Sequence, residues 1–314
     1  MELEEKPLVQ FGGKFDWVFP YQTQVRLDQF LSGLSRMVSR AFWVRAVEGG
    51  MIWINGEPAR RKNQILKKED RIRFDYFQIC RDLMGVELHQ DVSYRLIEED
   101  ENFVVVEKPS GVLIHRIGFL DFSLVSQVGR DLNQELFVIH RLDKYTSGIV
   151  VFGKHAEAAK RFQSLFHSPR MAKIYLAASF HPIQPVSGLM LEPIGQDDVR
   201  IHSKKQKVDF TDGSDCKTRY RMAGEMDGRY FYLVRIFTGR QHQIRVHFQN
   251  RGAPLIQDEL YAYQDYDLLP AGYDYDESWL GLHAYRLRFE DPFTGKYRVF
   301  TSRPSRWPFE RLFS

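Results

Sequence analysis

Residues 140–148 read His-Arg-Leu-Asp-Lys-Tyr-Thr-Ser-Gly and stand between two apolar runs, Leu-Phe-Val-Ile at 136–139 and Ile-Val-Val-Phe at 149–152. Short apolar runs of this kind are typical of buried β-strands. The polar stretch between them is therefore predicted to be a loop presented by two buried strands. Loops on rigid strands are favoured positions for catalytic groups, and Asp143 is the candidate here. The alternative is a hairpin turn with a solvated aspartate.

Strand-like and helical segments lie on both sides of this loop. A helix is predicted over 155–166, with its apolar residues on one face: Ala158, Phe162, Leu165 and Phe166. Strand-like runs occur at 94–100, 102–109, 148–154 and 173–179. Many of these runs are separated by only a few residues, which favours antiparallel pairing over a regular βαβ repeat. The predicted fold class is α+β.

The loop is the centre of a longer pattern. The string HRLD-x-x-TSG resembles the signature of the RluA-type pseudouridine synthases, and other segments agree with that family in order and character. They are DENFVVVEKPSGVLIH at 100–115, Lys173-Ile174-Tyr175, TGRQHQIRVHF at 238–248, PLIQDELY at 254–261 and LHAYRLRFEDPFTG at 282–295. The resemblance covers about residues 94–314. It implies a mixed, largely antiparallel sheet and an enzyme that isomerises uridine in RNA without a cofactor.

The resemblance also implies roles for particular residues. Enzymes of this family detach uracil from its ribose, rotate it and rejoin it through carbon, which calls for a carboxylate at the anomeric region of the sugar. Asp143 has that place in the signature, as a nucleophile or as a base. Tyr175 is implied to pack on the target base, and Arg245 to pair with the catalytic aspartate. Arg141 is implied to enter the space that the extruded uridine leaves.

Other functions are compatible with parts of the pattern. A glycosidase ordinarily uses a second carboxylate as its acid, and none stands out near Asp143, which favours isomerisation over hydrolysis that releases uracil. A catalytically silent RNA-binding or assembly factor on the same fold is a further alternative. The combination of Asp143, Tyr175 and Arg245 argues against it, because a protein that only binds RNA has no need of these three residues.

The amino-terminal block carries a local excess of positive charge. Residues 22–75 hold eleven basic and six acidic side chains, whereas residues 76–314 hold thirty-one of each. Such a block is typical of proteins that bind polyanions, although a solvated charged face is the alternative. Two helices, the second capped by Ser39 and ended by Gly49-Gly50, and a hairpin at Asn55-Gly56 are predicted within it.

This block resembles a small RNA-binding domain first named for a ribosomal protein of the small subunit. The matching segments are RLDQFLS, the Ser39-Arg40 pair, EGG-x-IWINGE and KKEDRIRF. The resemblance implies contact with the RNA backbone, and the arginines suited to it are Arg36, Arg40, Arg45, Arg60 and Arg61. Among pseudouridine synthases, such a domain often accompanies the enzymes that modify large-subunit ribosomal RNA. Ribosomal RNA is therefore the favoured partner and transfer RNA the alternative.

The predicted domain organisation has four parts. They are an extension over 1–21, the small RNA-binding domain over 22–76, a linker over 77–90 and the pseudouridine synthase domain over 91–314. The chain has only two cysteines, and its acidic amino terminus lacks the apolar core of a signal peptide. These features predict a cytoplasmic protein without a membrane segment, and we expect it to act as a monomer.

The sequence departs from the family pattern at several positions. Tyr145 stands where many relatives carry a charged or small polar residue. Gln257 and Ala262 replace two glycines, so the turn there departs from the family pattern. From 253 to 285 there are seven carboxylates and no Lys or Arg, and this acidic stretch is predicted to face away from RNA or to contact a protein.

The segment at 238–248 raises two structural questions. Thr238 and Gln241 have the spacing of a capping box, which predicts a helix that starts there. His242 and His247 suggest a metal site, but they are five residues apart and no Cys or carboxylate accompanies them, so no metal is predicted.

Overall fold

The structure is a computed structural model that describes residues 14–34, 39–84, 92–115, 123–197, 205–262 and 279–304. Its contacts divide the chain into two compact units. Unit 1 consists of Met1–Val92 with His115–Gln127, and unit 2 of Ser93–Ile114 with Val128–Ser314. None of the described helices is long and apolar enough to cross a membrane.

Unit 1 contains a small antiparallel sheet and three short helices. The elements in chain order are β1 (Lys14–Val18), β2 (Val25–Arg26), α1 (Leu27–Gly33), α2 (Arg40–Glu48), β3 (Trp53–Ile54), β4 (Glu57–Pro58), β5 (Ile65–Leu66), β6 (Arg71–Asp75) and α3 (Tyr76–Met84). The sheet order is β1-β6-β3-β4, and β2 pairs with β5. Trp43 and Leu27 are completely buried in the core of this unit.

The local features predicted for this block are confirmed. The Ser39 side chain accepts a hydrogen bond from the Phe42 N–H at the start of α2, and Gly49 caps its end. Asn55 and Gly56 both adopt positive φ, 54° and 89°, as the tight turn between β3 and β4 requires. Glycine and asparagine tolerate this conformation better than other residues, so the dipeptide determines the hairpin.

The boundaries of the block differ from those predicted. Part of the predicted extension forms β1, which pairs with β6, and Phe19 after it is buried in the same core. Residues at the start of the predicted linker form α3, where Tyr76, Ile79 and Cys80 are buried. Both segments are short, so the alternating apolar pattern of β1 and the helical apolar pattern of α3 cannot be recognised in the sequence. Residues 85–90 of the predicted linker lie outside the described residues.

Unit 2 is built on one ten-stranded sheet. Its elements, together with α4, which begins at the end of unit 1, are β7 (Arg95–Glu99), β8 (Phe103–Lys108), α4 (Leu124–Asp131), β9 (Phe137–Val138), β10 (Ser147–Gly153), α5 (Ala156–Phe166), β11 (Ala172–Ser179), β12 (Ser187–Met190), β13 (Ile194–Gln196), β14 (Gln206–Val208), β15 (Thr218–Met226), β16 (Arg229–Ile236), α6 (Gln243–Asn250), β17 (Leu282–Glu290) and β18 (Tyr297–Thr301).

The strand order is β12-β15-β16-β11-β17-β10-β8-β7, with β18 beside β17 and β9 beside β10. Among the described strands of this sheet, only β10 and β17 pair in parallel, and the other pairs are antiparallel. The prediction of an α+β fold with a mixed, largely antiparallel sheet is confirmed. The parallel pair lies next to the predicted catalytic loop, because Ser147 is opposite His283.

Two helices, α5 and α6, pack on the sheet. The predicted helix α5 buries Ala158, Phe162, Leu165 and Phe166, as expected from its periodicity. Helix α6 packs through Ile244 and Phe248 against β11 and β16. It begins at Gln243, later than the capping-box pattern predicts, and the Thr238 hydroxyl donates to the Gln243 side chain at 2.8 Å.

Candidate active site

The loop that carries Asp143 joins β9 to β10, and a buried lysine side chain binds its backbone. Lys108 is completely buried, and its Nζ donates to the carbonyl oxygens of Lys144 (2.7 Å), Val112 (2.7 Å) and Pro109 (2.9 Å). Burial lowers the pKa of Lys108 to about 7, against the attraction of Asp143. The Lys108 side chain therefore ties the backbone of the Asp143 loop, at Lys144, to the backbone of the segment that follows β8, at Pro109 and Val112.

The glycine that ends the TSG motif is required by close packing. Gly148 has φ +112°, and a Cβ atom at this position would lie 2.4 Å from the carbonyl oxygen of Ala284 on β17. Any side chain would push β10 away from β17 at the base of the loop. The adjacent Ser147 Oγ lies 2.8 Å from Nδ1 of His283, which adds a polar link between the two parallel strands.

Arg245 connects Asp143 with a second, buried carboxylate. Its Nη1 donates to Asp143 Oδ2 at 3.2 Å, while Nε and Nη2 donate to the two oxygens of Asp258 at 2.8 and 2.7 Å. Burial disfavours the cation, but Asp258, with Asp143, outweighs this and raises the pKa of Arg245. Two-point pairing with Asp258 fixes the plane of the guanidinium, and this plane in turn fixes the direction of the Asp143 carboxylate.

His242 approaches the same carboxylate from the start of α6. It adopts φ 56°, an uncommon conformation for a residue other than glycine, and its Nε2 lies 3.8 Å from Asp143 Oδ2. Its Nδ1 lies 2.8 Å from the Tyr261 hydroxyl, which accepts a hydrogen bond from the Gln206 N–H at 2.9 Å. When the Tyr261 hydroxyl donates to Nδ1, the ring proton of His242 lies on Nε2, the nitrogen that faces Asp143.

Tyr175 lies on β11 and is partly buried against the hydrophobic cluster that includes Ile244 and Phe248 of α6. Burial, together with the charge of the nearby Asp143, raises the pKa of the Tyr175 phenol well above its usual value. The phenol is therefore neutral at physiological pH and presents an apolar ring with a hydroxyl group beside the carboxylate.

The structure brings together three of the predicted site residues: Asp143, Arg245 and Tyr175. Arg141 is exposed at the start of the loop, and no carboxylate in the described part of the chain pairs with it. Lys173, two residues before Tyr175 on β11, donates to the Phe166 carbonyl at the end of α5 at 2.9 Å, so it holds α5. His247 bonds Thr218 and the Glu192 carbonyl, whereas His242 faces Asp143, so the two histidines serve different contacts.

The predicted arginines of unit 1 divide into two groups. Arg40 pairs with the fully buried Asp28, and Arg45 donates to the Leu83 carbonyl, so both are used within the unit. Arg60 and Arg61 are exposed. Arg36 lies outside the described residues.

Several site residues were missed by the sequence argument. Asp258 belongs to the acidic stretch that was predicted to face away from RNA or to contact a protein, and for this residue the prediction is wrong: Asp258 is buried against Arg245. The other missed residues are Tyr261, His242 and Lys108. All four lie in quoted motifs, so the motifs were the signal that could have found them. Residues 263–278 of the stretch lie outside the described part.

The arrangement is suited to chemistry at one carboxylate. The Asp143 side chain is 30% exposed while its partner Arg245 is only 9% exposed, so one oxygen is held and the group still reaches solvent. His140 at the start of the loop is neutral, because burial lowers its pKa to about 3, and its Nε2 accepts the Val151 N–H. Asp143 is therefore the carboxylate that a substrate can reach in this cluster.

Comparison with known proteins identifies the class. A family model described as RNA pseudouridylate synthase matches residues 102–250, which include Asp143, Tyr175 and Arg245. The human RNA pseudouridylate synthase domain containing 1 has the same fold, with a TM-score of 0.57 and 23% identity over 71% of this chain and 88% of that one.

Curated relatives agree over most of their length. An uncharacterized RNA pseudouridine synthase of Mycoplasma pneumoniae is 27% identical, with 91% of each chain covered. The ribosomal large subunit pseudouridine synthase C of Yersinia pestis is 28% identical over 86% of each chain, and synthase D of Pseudomonas aeruginosa is 28% identical over 75% of this chain and 73% of its own. The chain belongs to the RluA-type pseudouridine synthase family. It is an enzyme that converts uridine to pseudouridine in RNA.

Proposed function

We propose that this enzyme isomerises specific uridines in the ribosomal RNA of the large subunit and that Asp143 is its catalytic carboxylate. The choice of RNA is supported by the large-subunit synthases of Yersinia pestis and Pseudomonas aeruginosa among its relatives. Transfer RNA is the second candidate, and a catalytically silent assembly factor the third. The proposal includes action as a monomer in the cytoplasm, in keeping with two cysteines that are both buried and unpaired.

The observation that carries the catalytic assignment is the placement of Asp143. Its carboxylate is held by Arg245 at 3.2 Å and remains 30% exposed, on a loop whose backbone is held by Lys108. A carboxylate with a fixed direction and an open side can act at the anomeric carbon as a nucleophile, or stabilise an electron-deficient sugar. The geometry is compatible with both roles.

The remaining residues have roles consistent with base extrusion and rearrangement. Tyr175 is proposed to pack against the uracil ring, and Arg141, exposed at the start of the loop, to enter the RNA helix where the uridine has left it. Asp258 is fully buried and occupied by two hydrogen bonds from Arg245, so it is unsuited to be the acid of a hydrolase. This supports isomerisation over the release of uracil.

Unit 1 is proposed to hold the RNA outside the target uridine. Its basic excess supports contact with phosphates, and Arg60 and Arg61 are exposed for that purpose. Arg40 and Arg45 are more firmly engaged inside the unit, with Asp28 and with the Leu83 carbonyl.

Replacing Asp143→Asn tests the catalytic assignment. We expect a loss of at least about 10³-fold in the single-turnover rate, because a neutral amide of the same shape replaces the catalytic carboxylate. The reaction on RNA labelled in uracil separates the three functions: base rearranged and retained, unchanged, or released. Glu135→Gln is the control, because it also removes one negative charge but at an exposed position, and it should keep the wild-type rate. An Asp143→Asn variant as fast as the control contradicts the assignment.

The RNA target is tested with pseudouridine maps of ribosomal and transfer RNA from cells with and without the gene. Loss of sites in large-subunit RNA, restored by the wild type and not by Asp143→Asn, is the expected result. Loss confined to transfer RNA contradicts the ribosomal assignment and leaves the enzyme class intact.

A further inference from the structure

A row of side chains crosses the sheet of unit 2 on the face opposite Tyr175. Ile174 precedes Tyr175 on β11 and therefore points to the other face. Its cross-strand partners are Arg235 on β16 and Arg286 on β17, and the pairing continues outward on both sides. The complete row, from β12 to β18, is Leu189, Arg219, Arg235, Ile174, Arg286 and Thr301.

Two further arginines stand beside this row on the same face. Arg221 follows Arg219 by two residues on β15, and Arg288 follows Arg286 by two residues on β17, so each shares the face of its neighbour. Arg219, Arg221 and Arg288 are exposed, whereas Arg286 is partly buried. We call this set, with Arg235, the arginine face.

The guanidinium groups of three of these arginines contact aromatic rings or tyrosine hydroxyls. Arg286 lies 4.9 Å from the centre of the Tyr285 ring and donates to its hydroxyl at 3.0 Å. Arg288 donates to the Tyr297 hydroxyl at 3.1 Å, and Arg235 stacks 4.7 Å from the Phe237 ring. Stacking orients a guanidinium and leaves its charge uncompensated.

Carboxylates do not neutralise this face. Within the described ranges, none of the five arginines has a carboxylate oxygen within 4.0 Å. Glu107, at the edge of the face, is already paired with Arg95, and the exposed Glu290 lies at the far end of β17. The Nε of Arg235 is buried and finds no hydrogen-bond acceptor among the described residues.

An open cleft of about 610 Å³ extends the arginine face toward β7 and β18. It is lined by Arg95, Arg286 and Arg303, with Tyr285, Thr301 and Glu107. Neighbouring strands are about 4.8 Å apart, so Arg219 and Arg286, three strands apart, are separated by about 14 Å across the sheet. A line of cations of that length can contact more than one phosphate of a single RNA strand.

We propose that the arginine face is a second RNA-binding surface, which binds backbone phosphates of the substrate outside the segment that enters the active site. The proposal rests on the RNA pseudouridine synthase activity but does not depend on which RNA is modified. Phosphate oxygens match the planar fork of arginine, and such contacts add affinity without adding sequence preference. An RNA that reaches both faces of the sheet must extend around its edge.

The test compares two double variants of the full-length protein. Arg219→Gln with Arg221→Gln removes two charges from the arginine face. Lys160→Gln with Arg170→Gln removes two exposed charges at α5 and just after it, away from that face. Binding of a 40-base-pair duplex RNA of arbitrary sequence (a probe length of roughly two and a half double-strand-binding footprints) is measured over a series of salt concentrations.

We expect the slope of log affinity against log salt to fall by about 2 for the arginine-face variant and to stay at the wild-type value for the α5 variant. The ratio of the dissociation constants of the two variants should therefore fall by about tenfold between 50 and 200 mM salt. Equal slopes for the two variants overturn the proposal. A face that binds an acidic protein instead of RNA would give this result.

A second measurement keeps the two claims apart. Both double variants retain Asp143 and its partners, so each should convert saturating RNA at the wild-type single-turnover rate. Absence of conversion by the wild type contradicts the proposed function, whereas equal salt slopes contradict only the arginine face. Wild-type circular dichroism for both variants excludes unfolding as the cause of a changed slope.

Discussion

At the scale of single residues, the site is organised by one cation shared between two carboxylates. The family pattern implied the contact between Arg245 and Asp143, yet the two-point partner of Arg245 is Asp258. The sequence did not reveal this, because Asp258 lies among seven carboxylates without a Lys or Arg, where burial of one acid leaves no local signature. The sequence therefore implied the contact between Asp143 and Arg245, but not the Asp258 carboxylate that fixes the plane of the Arg245 guanidinium.

Asp258→Asn is expected to damage both stability and catalysis. The change leaves a buried guanidinium without its main counter-charge, which costs about 3 kcal/mol in the free energy of unfolding. The freed Arg245 is then pulled toward Asp143, so the single-turnover rate falls as well. Urea unfolding and rate measurement check both effects. Glu259→Gln, an exposed neighbour, is the control, and equal stability of the two variants would show that the Asp258 pair is unimportant.

At the scale of elements, the sequence predicted which segments form strands and helices better than how they pair. The strand before the loop, the strand after it and α5 follow directly from their apolar patterns. The parallel pairing of β10 with β17 could not be predicted, because more than a hundred residues separate Ser147 from His283 and an alternating pattern carries no information about partners. Only the glycine of the TSG motif hints at the close approach.

Gly148→Ala is expected to be destabilising because of this approach. The new Cβ meets the Ala284 carbonyl at 2.4 Å in a conformation with φ +112°, and strain with displacement of β10 costs about 3 kcal/mol. Gly228→Ala is the matched control, since Gly228 also has positive φ (+68°) but a Cβ there meets nothing within 4 Å. It should cost about 1 kcal/mol. Thermal unfolding compares them, and equal losses would mean that the contact with Ala284 is not limiting.

At the scale of the whole molecule, the net charge of +3 hides surfaces with different tasks. The basic block of unit 1 was predicted to contact the RNA backbone, and five arginines were named as suited to that contact: Arg36, Arg40, Arg45, Arg60 and Arg61. The structure shows that position within the fold divides them, since Asp28 is completely buried and takes hydrogen bonds from both Arg26 and Arg40. A sequence shows the charges of these side chains but not which of them are already paired.

This division predicts different phenotypes for Arg40→Gln and Arg60→Gln. Burial alone would raise the pKa of Asp28, but the hydrogen bonds from Arg40 and Arg26 outweigh it and hold that pKa below its ordinary value of 3.8. The contribution of the pair is thus complete above pH 3.8 and is lost as the pH falls through the lower, folded-state pKa. We expect Arg40→Gln to cost about 1.5 kcal/mol at pH 7 and progressively less below pH 3.8.

Arg60→Gln should leave the free energy of unfolding unchanged at every pH, because this side chain is exposed and no carboxylate in the described part of the chain pairs with it. Its effect should lie in RNA binding, as a salt slope smaller by about 1 on the same 40-base-pair duplex, given about one unit per phosphate contact. Urea unfolding at pH 7 and pH 3, with binding at several salt concentrations, measures both variants. If Arg40→Gln lowers the salt slope without lowering stability, Arg40 binds RNA and the pairing with Asp28 does not stabilise the unit.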